Sequence, residues 1–143
     1  MQVLVLNGAN LNALAERDPA LYGGMSYPEL ETRIYGWAKE LGCSVRCIQT
    51  NHEGEFIDTC HQARSWADGV VVNPGAWTHY SYAIRDALEV FDRPKAEVHL
   101  SAIEQREEWR RHSVIADVVD HRISGHGVDG YREAITYLQE RSG

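Results

Sequence analysis

The sequence predicts an α/β fold in which a parallel five-stranded sheet is covered by helices on both faces. Five strand-like segments alternate with helical ones, the order that right-handed crossover connections produce. The first and third strands are continuous apolar runs, and we expect these two and the fourth to be buried on both faces at the centre of the sheet. The second and fifth alternate between polar and apolar residues, as edge strands do. The strand order 2-1-3-4-5 satisfies both patterns and describes a flavodoxin-like three-layer sandwich.

The first half of the chain contains two strands, a helix and a long irregular segment. Residues 3–6 form a continuous apolar run that predicts the first strand. Residues 11–25 have no regular periodicity, and irregular stretches of this length in small domains are usually functional or disordered. A helix should then begin with Ser26 as its N-cap and end at Gly42, before an alternating edge strand over 44–49.

The second half is organised around residues 70–72, a β-branched run typical of a strand buried on both faces. The run ends at an Asn-Pro-Gly turn, after which Thr78 is expected to cap a helix that continues through residue 88. The other predicted elements are a helix over 55–66, a strand over 96–100, a charged helical segment over 104–112, a weak strand over 118–123 and a C-terminal helix with an apolar stripe of Tyr131, Ala134, Ile135 and Leu138. We expect a single domain over residues 1–143.

Composition and charge argue against several classes of function. The formal net charge of −7 disfavours non-specific binding to nucleic acid or to anionic membranes. We expect neither a targeting leader nor a membrane span, because no suitable apolar run occurs. The three cysteines make no paired framework, which favours a reducing cytoplasm. The dispersed histidines indicate no metal site, and the glycine fingerprints of dinucleotide and P-loop sites are missing.

Polar side chains follow four of the predicted strands at the point where each strand ends. They are Asn7 and Asn10, Asn51 and His52, Asn73, and His99 and Ser101. Because the carboxyl ends of parallel strands meet at one edge of a sheet, we expect these groups to form a site for a small molecule. The alternative for Asn73 is that its amide only satisfies the backbone of its own turn, as Asn side chains commonly do.

Arg17 and Tyr22 lie five residues apart in the irregular segment, next to several turn residues. A tyrosine ionises at about pH 10 in water and becomes a usable base only where cations stabilise its phenolate. A nearby guanidinium group supplies such a charge, so Tyr22 is a candidate base. The alternative is that its ring anchors the loop by packing.

Two further pairs indicate acid–base or binding chemistry. Glu97 and His99 are two residues apart on one strand and share a face, so the carboxylate could orient the imidazole as an acid or base. Arg106 and Arg110 are four apart on a predicted helix and share a face that could clamp a polyol or an anion. The alternatives are a hydrogen-bonded core histidine and an ordinary solvated charged face.

The same residues carry a family resemblance that covers essentially the whole chain. The matching segments are Leu6-Asn7-Gly8-Ala9-Asn10-Leu11-Asn12, Arg17-Asp18-Pro19, Tyr22-Gly23, Gln49-Thr50-Asn51-His52-Glu53-Gly54-Glu55, Asn73-Pro74-Gly75-Ala76-Trp77-Thr78-His79, Glu97-Val98-His99-Leu100-Ser101 and Arg106-Glu107-Glu108-Trp109-Arg110-Arg111-His112-Ser113. Together they resemble the signatures of the type II 3-dehydroquinate dehydratases. The resemblance implies a flavodoxin-like subunit that assembles into a dodecamer, a tetramer of trimers.

In activity, the resemblance implies anti elimination of water from 3-dehydroquinate through an enolate. The product is 3-dehydroshikimate, in the shikimate or quinate pathway, and neither metal nor organic cofactor takes part. Tyr22 would be the base, held as phenolate by Arg17 on a mobile lid at about residues 12–25. His99 would protonate the departing hydroxyl, with Glu97 behind it.

The resemblance assigns other residues to binding. Asn73, supported by Asn10, would position the ordered water and the substrate near the developing enolate oxygen. The backbone N–H groups of Leu100 and Ser101, with the Ser101 hydroxyl, would bind the carboxylate. His79, Arg106 and Arg110 would contact hydroxyls or the surroundings of the tyrosine. Asp86 would reach into the site of a neighbouring subunit.

The sequence departs from the family pattern at four positions. Ala9 replaces the usual Pro, Ala15 the usual Gly of the lid, Asp18 the usual Glu, and Ala102 the usual Asn. The change at Ala102 removes an amide from beside the carboxylate site. A modified substrate, such as an amino-dehydroquinate of a secondary pathway, is therefore an alternative, as is a non-catalytic binding module of the same fold.

Overall fold

A computed structural model of the chain describes residues 1–142 and contains one five-stranded parallel sheet of order β2-β1-β3-β4-β5. This order confirms the predicted flavodoxin-like arrangement. The strands are β1 (Gln2–Asn7), β2 (Ser44–Gln49), β3 (Gly69–Asn73), β4 (Lys95–His99) and β5 (His121–Ser124). The α-helices are α1 (Pro19–Tyr22), α2 (Tyr27–Leu41), α3 (Glu53–Ala63), α4 (Tyr82–Val90) and α5 (Asp129–Ser142), and short 3-10 helices span Leu11–Glu16, Gly75–His79, Ile103–Gln105 and Glu108–Arg110.

The alternation of side chains along the central strands builds two separate layers of core. Val5 packs on the side of the sheet covered by α2 and α5, together with Ile34 and Ile135. Its neighbour Leu6 points the other way and packs with Phe56 under α3 and α4. Each fully buried apolar side chain of this size contributes about 1.5–3 kcal/mol. The strands with continuous apolar runs therefore lie inside the sheet, where helices cover both of their faces. Within residues 1–142, none of the helices has the length and apolar character needed to cross a membrane.

Strand pairing brings the ends of β1, β3 and β4 to one edge of the sheet. Asn7 is in register with Gln49 on β2 and with Asn73 on β3. On the other side of the sheet, His99 is in register with Ser124. The polar residues that terminate these strands are consequently neighbours, as the sequence predicts.

The helix after β3 begins later than the sequence predicts, and the prediction of Thr78 as its cap is wrong. Ser81 is the N-cap of α4, and its hydroxyl accepts a hydrogen bond from the Ile84 N–H at 3.1 Å. Thr78 lies inside the preceding 3-10 helix, and its hydroxyl donates to Glu97 at 2.5 Å. The buried Glu97 carboxylate thus binds the Thr78 hydroxyl, which the local sequence pattern alone would assign to the cap of a helix.

The charged segment over 104–112 is also not one helix. It forms two 3-10 turns, separated where Arg106 adopts an extended conformation with φ of −93° and ψ of −174°. Arg106 and Arg110 therefore do not share a face of a single helix.

Two other boundaries differ from the sequence-based expectation. β5 begins at His121 rather than at 118, because Val118 and Val119 hydrogen-bond back to the Ile115 carbonyl in a turn. The irregular segment 11–25 is not free of structure, since it contains a 3-10 helix and then α1, whose first residues Asp18 caps.

Two glycines allow the turns after β1 and β3 to touch. An added Cβ at Gly8 would lie 2.5 Å from the Pro74 carbonyl oxygen, and the Gly8 N–H donates to the Asn73 carbonyl at 2.8 Å. Gly75 has a φ of 64°, and a Cβ there would lie 2.7 Å from the Ala9 carbonyl oxygen. Backbone therefore packs directly against backbone at the edge where the polar residues converge.

This packing predicts opposite effects of the same substitution at two glycines. Gly8→Ala should lower the free energy of unfolding by about 1–3 kcal/mol, because its Cβ meets backbone that cannot move aside. Gly36→Ala should raise it by about 0.5–1 kcal/mol, since Gly36 lies inside α2 with open space around the Cβ position. Urea unfolding of both variants measures the difference. A Gly8→Ala protein as stable as the wild type would contradict the close approach.

Candidate active site

A cavity of about 240 Å³ lies at the carboxyl edge of the sheet. Its lining comes from the last residues of β3 and β4 and from the segments that follow β1, β3 and β4. The residues that line it are Ala9, Asn10, Leu11, Ala13, Leu14, Glu16, Arg17, Tyr22, Asn73, Gly75, Ala76, His79, His99, Leu100, Ser101, Ile103, Arg106 and Arg110. This volume suits a small ligand.

Tyr22 lies in the cavity with two guanidinium groups at its hydroxyl. Arg17 donates to the Tyr22 oxygen at 2.7 Å, and Arg106 donates to it at 3.0 Å. The guanidinium carbon of Arg17 lies 4.2 Å from the centroid of the Tyr22 ring, so this cation also covers the ring face. Tyr22 and Arg17 come from the segment after β1, whereas Arg106 comes from the loop after β4. The tyrosine oxygen therefore joins two separate parts of the chain.

Arg106 links the tyrosine to the loop that follows β4. Besides Tyr22, its guanidinium donates to the Ser101 hydroxyl at 3.1 Å and to the Glu107 carboxylate at 3.3 Å. Burial lowers the pKa of Arg106, but the hydrogen bond to Tyr22 and the attraction of Tyr22 and Glu107 outweigh it and leave the pKa above its usual value. Arg106 thus carries its positive charge at the wall of the cavity at all working pH values.

His99 lines the cavity in front of a buried carboxylate. Its Nε2 lies 2.5 Å from an oxygen of Glu97, whose side chain is fully buried. The two residues lie on the same face of β4, as their spacing predicts. Glu97 therefore fixes the orientation of the imidazole.

Glu97 keeps its charge because several donors surround it. Thr78 and Ser113 donate from their hydroxyls, at 2.5 Å and at 2.9–3.0 Å, and Arg122 donates from its guanidinium at 3.0 Å. Burial alone would raise the pKa of the Glu97 carboxyl, but the hydrogen bonds and charges of His99, Thr78 and Arg122 hold the pKa below its usual value. The carboxylate behind His99 is therefore an anion.

His79 forms the part of the wall next to His99. The two imidazole rings are stacked, with centroids 6.4 Å apart, and the Trp109 ring meets His79 edge-on at 5.5 Å. His79 Nδ1 donates to the His112 carbonyl at 2.6 Å, so Nε2 carries no proton in the neutral ring. Burial and the nearby cations lower the pKa of His79, although the hydrogen bond to His112 opposes this.

Asn73 faces the cavity and is also tied to the interior. Its Oδ1 accepts from the Gly75 N–H at 3.2 Å, which is the local turn contact that the sequence leaves open as an alternative. Its Nδ2 donates to the Tyr131 hydroxyl at 2.9 Å. Asn73 is only 4% exposed. Its amide therefore has both a structural contact and a place in the cavity wall.

Asn10 has a left-handed backbone, with φ of 71°, which Asn tolerates better than most residues. Its N–H donates to the Asn51 side chain at 2.9 Å. Asn51 does not line the cavity itself and instead supports the residue that does. His52 is exposed at the beginning of α3, and Asn7 is fully buried beneath the cavity. Of these four predicted polar residues, only Asn10 therefore lines the cavity.

The sequence-predicted site residues fall into two groups. Those in the cavity wall are Arg17, Tyr22, Asn73, His99, Asn10, His79, Leu100, Ser101, Arg106 and Arg110. Glu97 lies behind His99, and Asp86 is exposed on α4, outside the lining. Arg106 and Arg110 both reach the cavity although no single helix carries them.

Sequence reasoning missed the residues that support this wall from behind. Thr78, Ser113 and Arg122 surround Glu97, and Tyr131 holds Asn73. The sequence carried no signal for these contacts, because the partners are distant in the chain and the register that pairs Arg122 with Glu97 is known only from the structure.

Comparison with protein families gives a match over nearly the whole chain. A family model described as dehydroquinase class II matches residues 1–139. The chain is 52% identical over 141 residues to a 3-dehydroquinate dehydratase of Thermotoga maritima, which covers 99% of this chain and 96% of that one. It is 48% identical over 140 residues to a 3-dehydroquinate dehydratase of Bacillus pumilus, with 98% and 95% covered.

Solved structures show the same similarity in three dimensions. The crystal structure of a type II dehydroquinase from Butyrivibrio crossotus superposes with a TM-score of 0.94 at 46% identity and covers 96% of this chain and 97% of that one. A 3-dehydroquinate dehydratase-like protein from Bifidobacterium longum superposes with a TM-score of 0.75 at 32% identity, with 100% and 98% covered.

The lowered pKa of His79 predicts that the fold loses stability in mild acid. Below the ordinary histidine pKa of 6.5, the unfolded chain takes up a proton at this residue before the folded protein does. The neutral His79 ring therefore makes its full contribution to the free energy of unfolding above pH 6.5. This contribution is lost as the pH falls from there towards the pKa of His79 in the folded protein. Urea unfolding at about pH 7.5 and about pH 5.5 should show a larger drop in the wild type than in His79→Asn. An equal drop in both proteins would contradict the burial of a neutral ring.

Proposed function

The chain belongs to the class II dehydroquinase family, and from this premise we propose that it removes water from 3-dehydroquinate with Tyr22 as base and His99 as acid. The product is 3-dehydroshikimate, and the enzyme is a hydro-lyase of the shikimate pathway. One observation carries the assignment of roles. A tyrosine bound by two guanidinium groups and a histidine bound by a buried carboxylate line the same small cavity.

Tyr22 removes the proton from the carbon next to the ketone. A phenol is too weak a base for this step, and a phenolate requires compensating positive charge. Arg17 and Arg106 supply it at hydrogen-bond distance, and charge-assisted bonds of this kind are about twice as strong as neutral ones. Both arginines therefore place positive charge at the oxygen that must act as the base.

His99 protonates the departing hydroxyl, which leaves as water. Glu97 accepts a hydrogen bond from one ring nitrogen and stabilises the imidazolium, so the other nitrogen is free to deliver a proton. Because Glu97 is an anion held by Thr78, Ser113 and Arg122, it keeps this role throughout the cycle. A base and an acid at different walls of one cavity suit anti elimination.

Asn73 and Asn10 act where negative charge develops on the ketone oxygen. A proton next to a ketone becomes acidic only when the enolate is stabilised, and fixed donors near its oxygen supply much of that stabilisation. Both residues line the cavity, and both are held by contacts outside it. We assign them to the ordered water and substrate near this oxygen. Loss of water from a hydroxy ketone changes no oxidation state overall, so the proposal assigns no cofactor and no metal.

The carboxylate and ring hydroxyls of the substrate take the remaining contacts. Backbone N–H groups of Leu100 and Ser101, with the Ser101 hydroxyl, bind the carboxylate, and Arg106 beside Ser101 adds positive charge there. His79 and Arg110, which also line the cavity, contact hydroxyl groups. These contacts place the reacting carbons between Tyr22 and His99.

Residues 12–25 act as a mobile lid. They carry both Arg17 and Tyr22, so closure assembles the base at the moment it excludes water. Residues 1–142, the part of the chain that the structure describes, form one domain around this site, and residue 143 of the expected single domain lies outside the described residues.

The enzyme acts as a cytoplasmic homododecamer, a tetramer of trimers. Asp86 is exposed on α4 and reaches the cavity of a neighbouring subunit in this assembly. Tyr80 and Tyr82, which are 59% and 68% exposed beside the start of α4, supply apolar surface for the contact. Free thiols at Cys43, Cys47 and Cys60 suit a reducing compartment.

The departures from the family pattern favour the unmodified substrate. Ala102 is half-buried and faces Gly125, where an added Cβ would lie 2.9 Å from the Ala102 Cβ. It lies outside the lining of the cavity, so the loss of an amide at this position leaves the contacts of the carboxylate site in place. Ala9 does line the cavity. A non-catalytic binding module would gain nothing from the paired charges at Tyr22 and His99.

Tyr22→Phe tests the role of the base. The variant keeps the ring and loses the oxygen, so kcat for 3-dehydroquinate should fall by about 10²–10⁴-fold while KM changes little. Appearance of the conjugated enone of 3-dehydroshikimate, followed by ultraviolet absorbance, measures the rate. Retention of most of the wild-type rate would show that another group is the base.

Tyr35→Phe is the matched control for this experiment. Tyr35 is 43% exposed on α2 and lies outside the cavity lining, so this variant should keep the wild-type rate. Equal loss of activity in both variants would point to a general effect of removing a tyrosine hydroxyl.

A further inference from the structure

A buried tyrosine hydroxyl connects two asparagine side chains beneath the cavity. Tyr131, on α5, donates to Asn7 Oδ1 at 2.6 Å and accepts from Asn73 Nδ2 at 2.9 Å. Asn7 and Asn73 are register partners at the carboxyl ends of β1 and β3. Asn7 and Tyr131 are fully buried, so bulk water does not reach these contacts.

The pattern of donors and acceptors allows only one orientation of the Asn73 amide. Because the single Tyr131 proton is used on Asn7, the tyrosine oxygen can only accept from Asn73, which requires Nδ2 on that side. The Gly75 N–H points at Oδ1 on the other side at 3.2 Å. A flipped amide would set a donor against the Gly75 N–H and an acceptor against the tyrosine oxygen. Burial raises the pKa of Tyr131, which keeps its proton in place.

We propose that Tyr131 is a positioning residue, which acts on the reaction by holding the Asn73 amide in one orientation towards the cavity. One N–H of Asn73 is used on Tyr131, and its second N–H is available to the bound water or substrate. This inference rests on the proposed function of Asn73 near the developing enolate oxygen. Tyr131 itself lies outside the cavity lining and touches no substrate.

Tyr27 provides a matched control within the same network. Its hydroxyl accepts from Asn7 Nδ2 at 3.3 Å, at the end of the chain of hydrogen bonds that does not include Asn73. It is 9% exposed, so its removal also leaves a nearly buried polar group without its partner. Tyr27→Phe and Tyr131→Phe therefore make similar changes to the core, and only the second frees the Asn73 amide.

The two variants should differ in kcat. Tyr131→Phe should lower kcat for 3-dehydroquinate by about 10–100-fold with KM within about twofold of the wild type, because a misdirected amide weakens transition-state contacts most. Tyr27→Phe should keep kcat within about twofold. Urea unfolding of both variants at the assay temperature establishes that each is fully folded. Equal losses of kcat in the two variants, or a rise in KM with kcat unchanged, would overturn the proposal.

The effect of Tyr131 must also pass through Asn73. In an Asn73→Ala background, Tyr131→Phe should lower kcat by no more than about twofold, because no amide remains to be oriented. The same fold loss in both backgrounds would show a structural role independent of Asn73.

A spectroscopic readout separates this inference from the proposed function. Failure of the wild type to dehydrate 3-dehydroquinate would refute the function and leave the orientation of the amide open to measurement by NMR. The side-chain NH2 resonances of Asn73, assigned by their loss in Asn73→Ala, should exchange slowly with water in the wild type and in Tyr27→Phe, and rapidly in Tyr131→Phe. Unchanged slow exchange in Tyr131→Phe would overturn the inference whatever the activity.

Discussion

The contact of one tyrosine oxygen with two guanidinium groups is the interaction on which the rest of the site depends. Tyr22 and Arg17 come from the segment after β1, and Arg106 comes from the loop after β4. In the proposed mechanism, opening the lid over residues 12–25 would separate Tyr22 from Arg106 and remove part of the positive charge at the base. The proposed base would then be complete only when the lid is shut, which is also when water would be excluded from the substrate.

His99, the proposed acid, is instead fixed by the core. His99 and Glu97 lie on the interior strand β4, and the donors to Glu97 come from three segments packed around it. A buried carboxylate is stable only when its charge is compensated, and these donors meet that requirement from outside the cavity lining. In the proposed mechanism, a preformed acid and a base assembled by closure would let substrate enter an incomplete site and react in a complete one.

The central place of β1 and β3 follows from the sequence, because burial of both faces of a strand leaves a continuous apolar run, and each of the two carries one. β4 is buried on both faces as well, although Glu97 and His99 interrupt its apolar residues. The start of α4 could not be predicted from the sequence, because the Thr78 hydroxyl binds Glu97, a partner distant in sequence, instead of capping the helix. The grouping of Arg106 with Tyr22 came from family resemblance, since the two are 84 residues apart and no periodicity relates them. The sequence identified Tyr131 only as one apolar position of a helix. Its hydrogen bonds to Asn7 and Asn73 could not be predicted without knowing which strand ends lie over α5.

The rates of two arginine variants test the central claim most directly. Arg17→Gln and Arg106→Gln each remove one guanidinium group from the Tyr22 oxygen. Each should lower kcat for 3-dehydroquinate by about 10–100-fold, which corresponds to the loss of one charge-assisted hydrogen bond of about 1.5–3 kcal/mol. A kcat within about twofold of the wild type in either variant would contradict the dependence of the base on these cations.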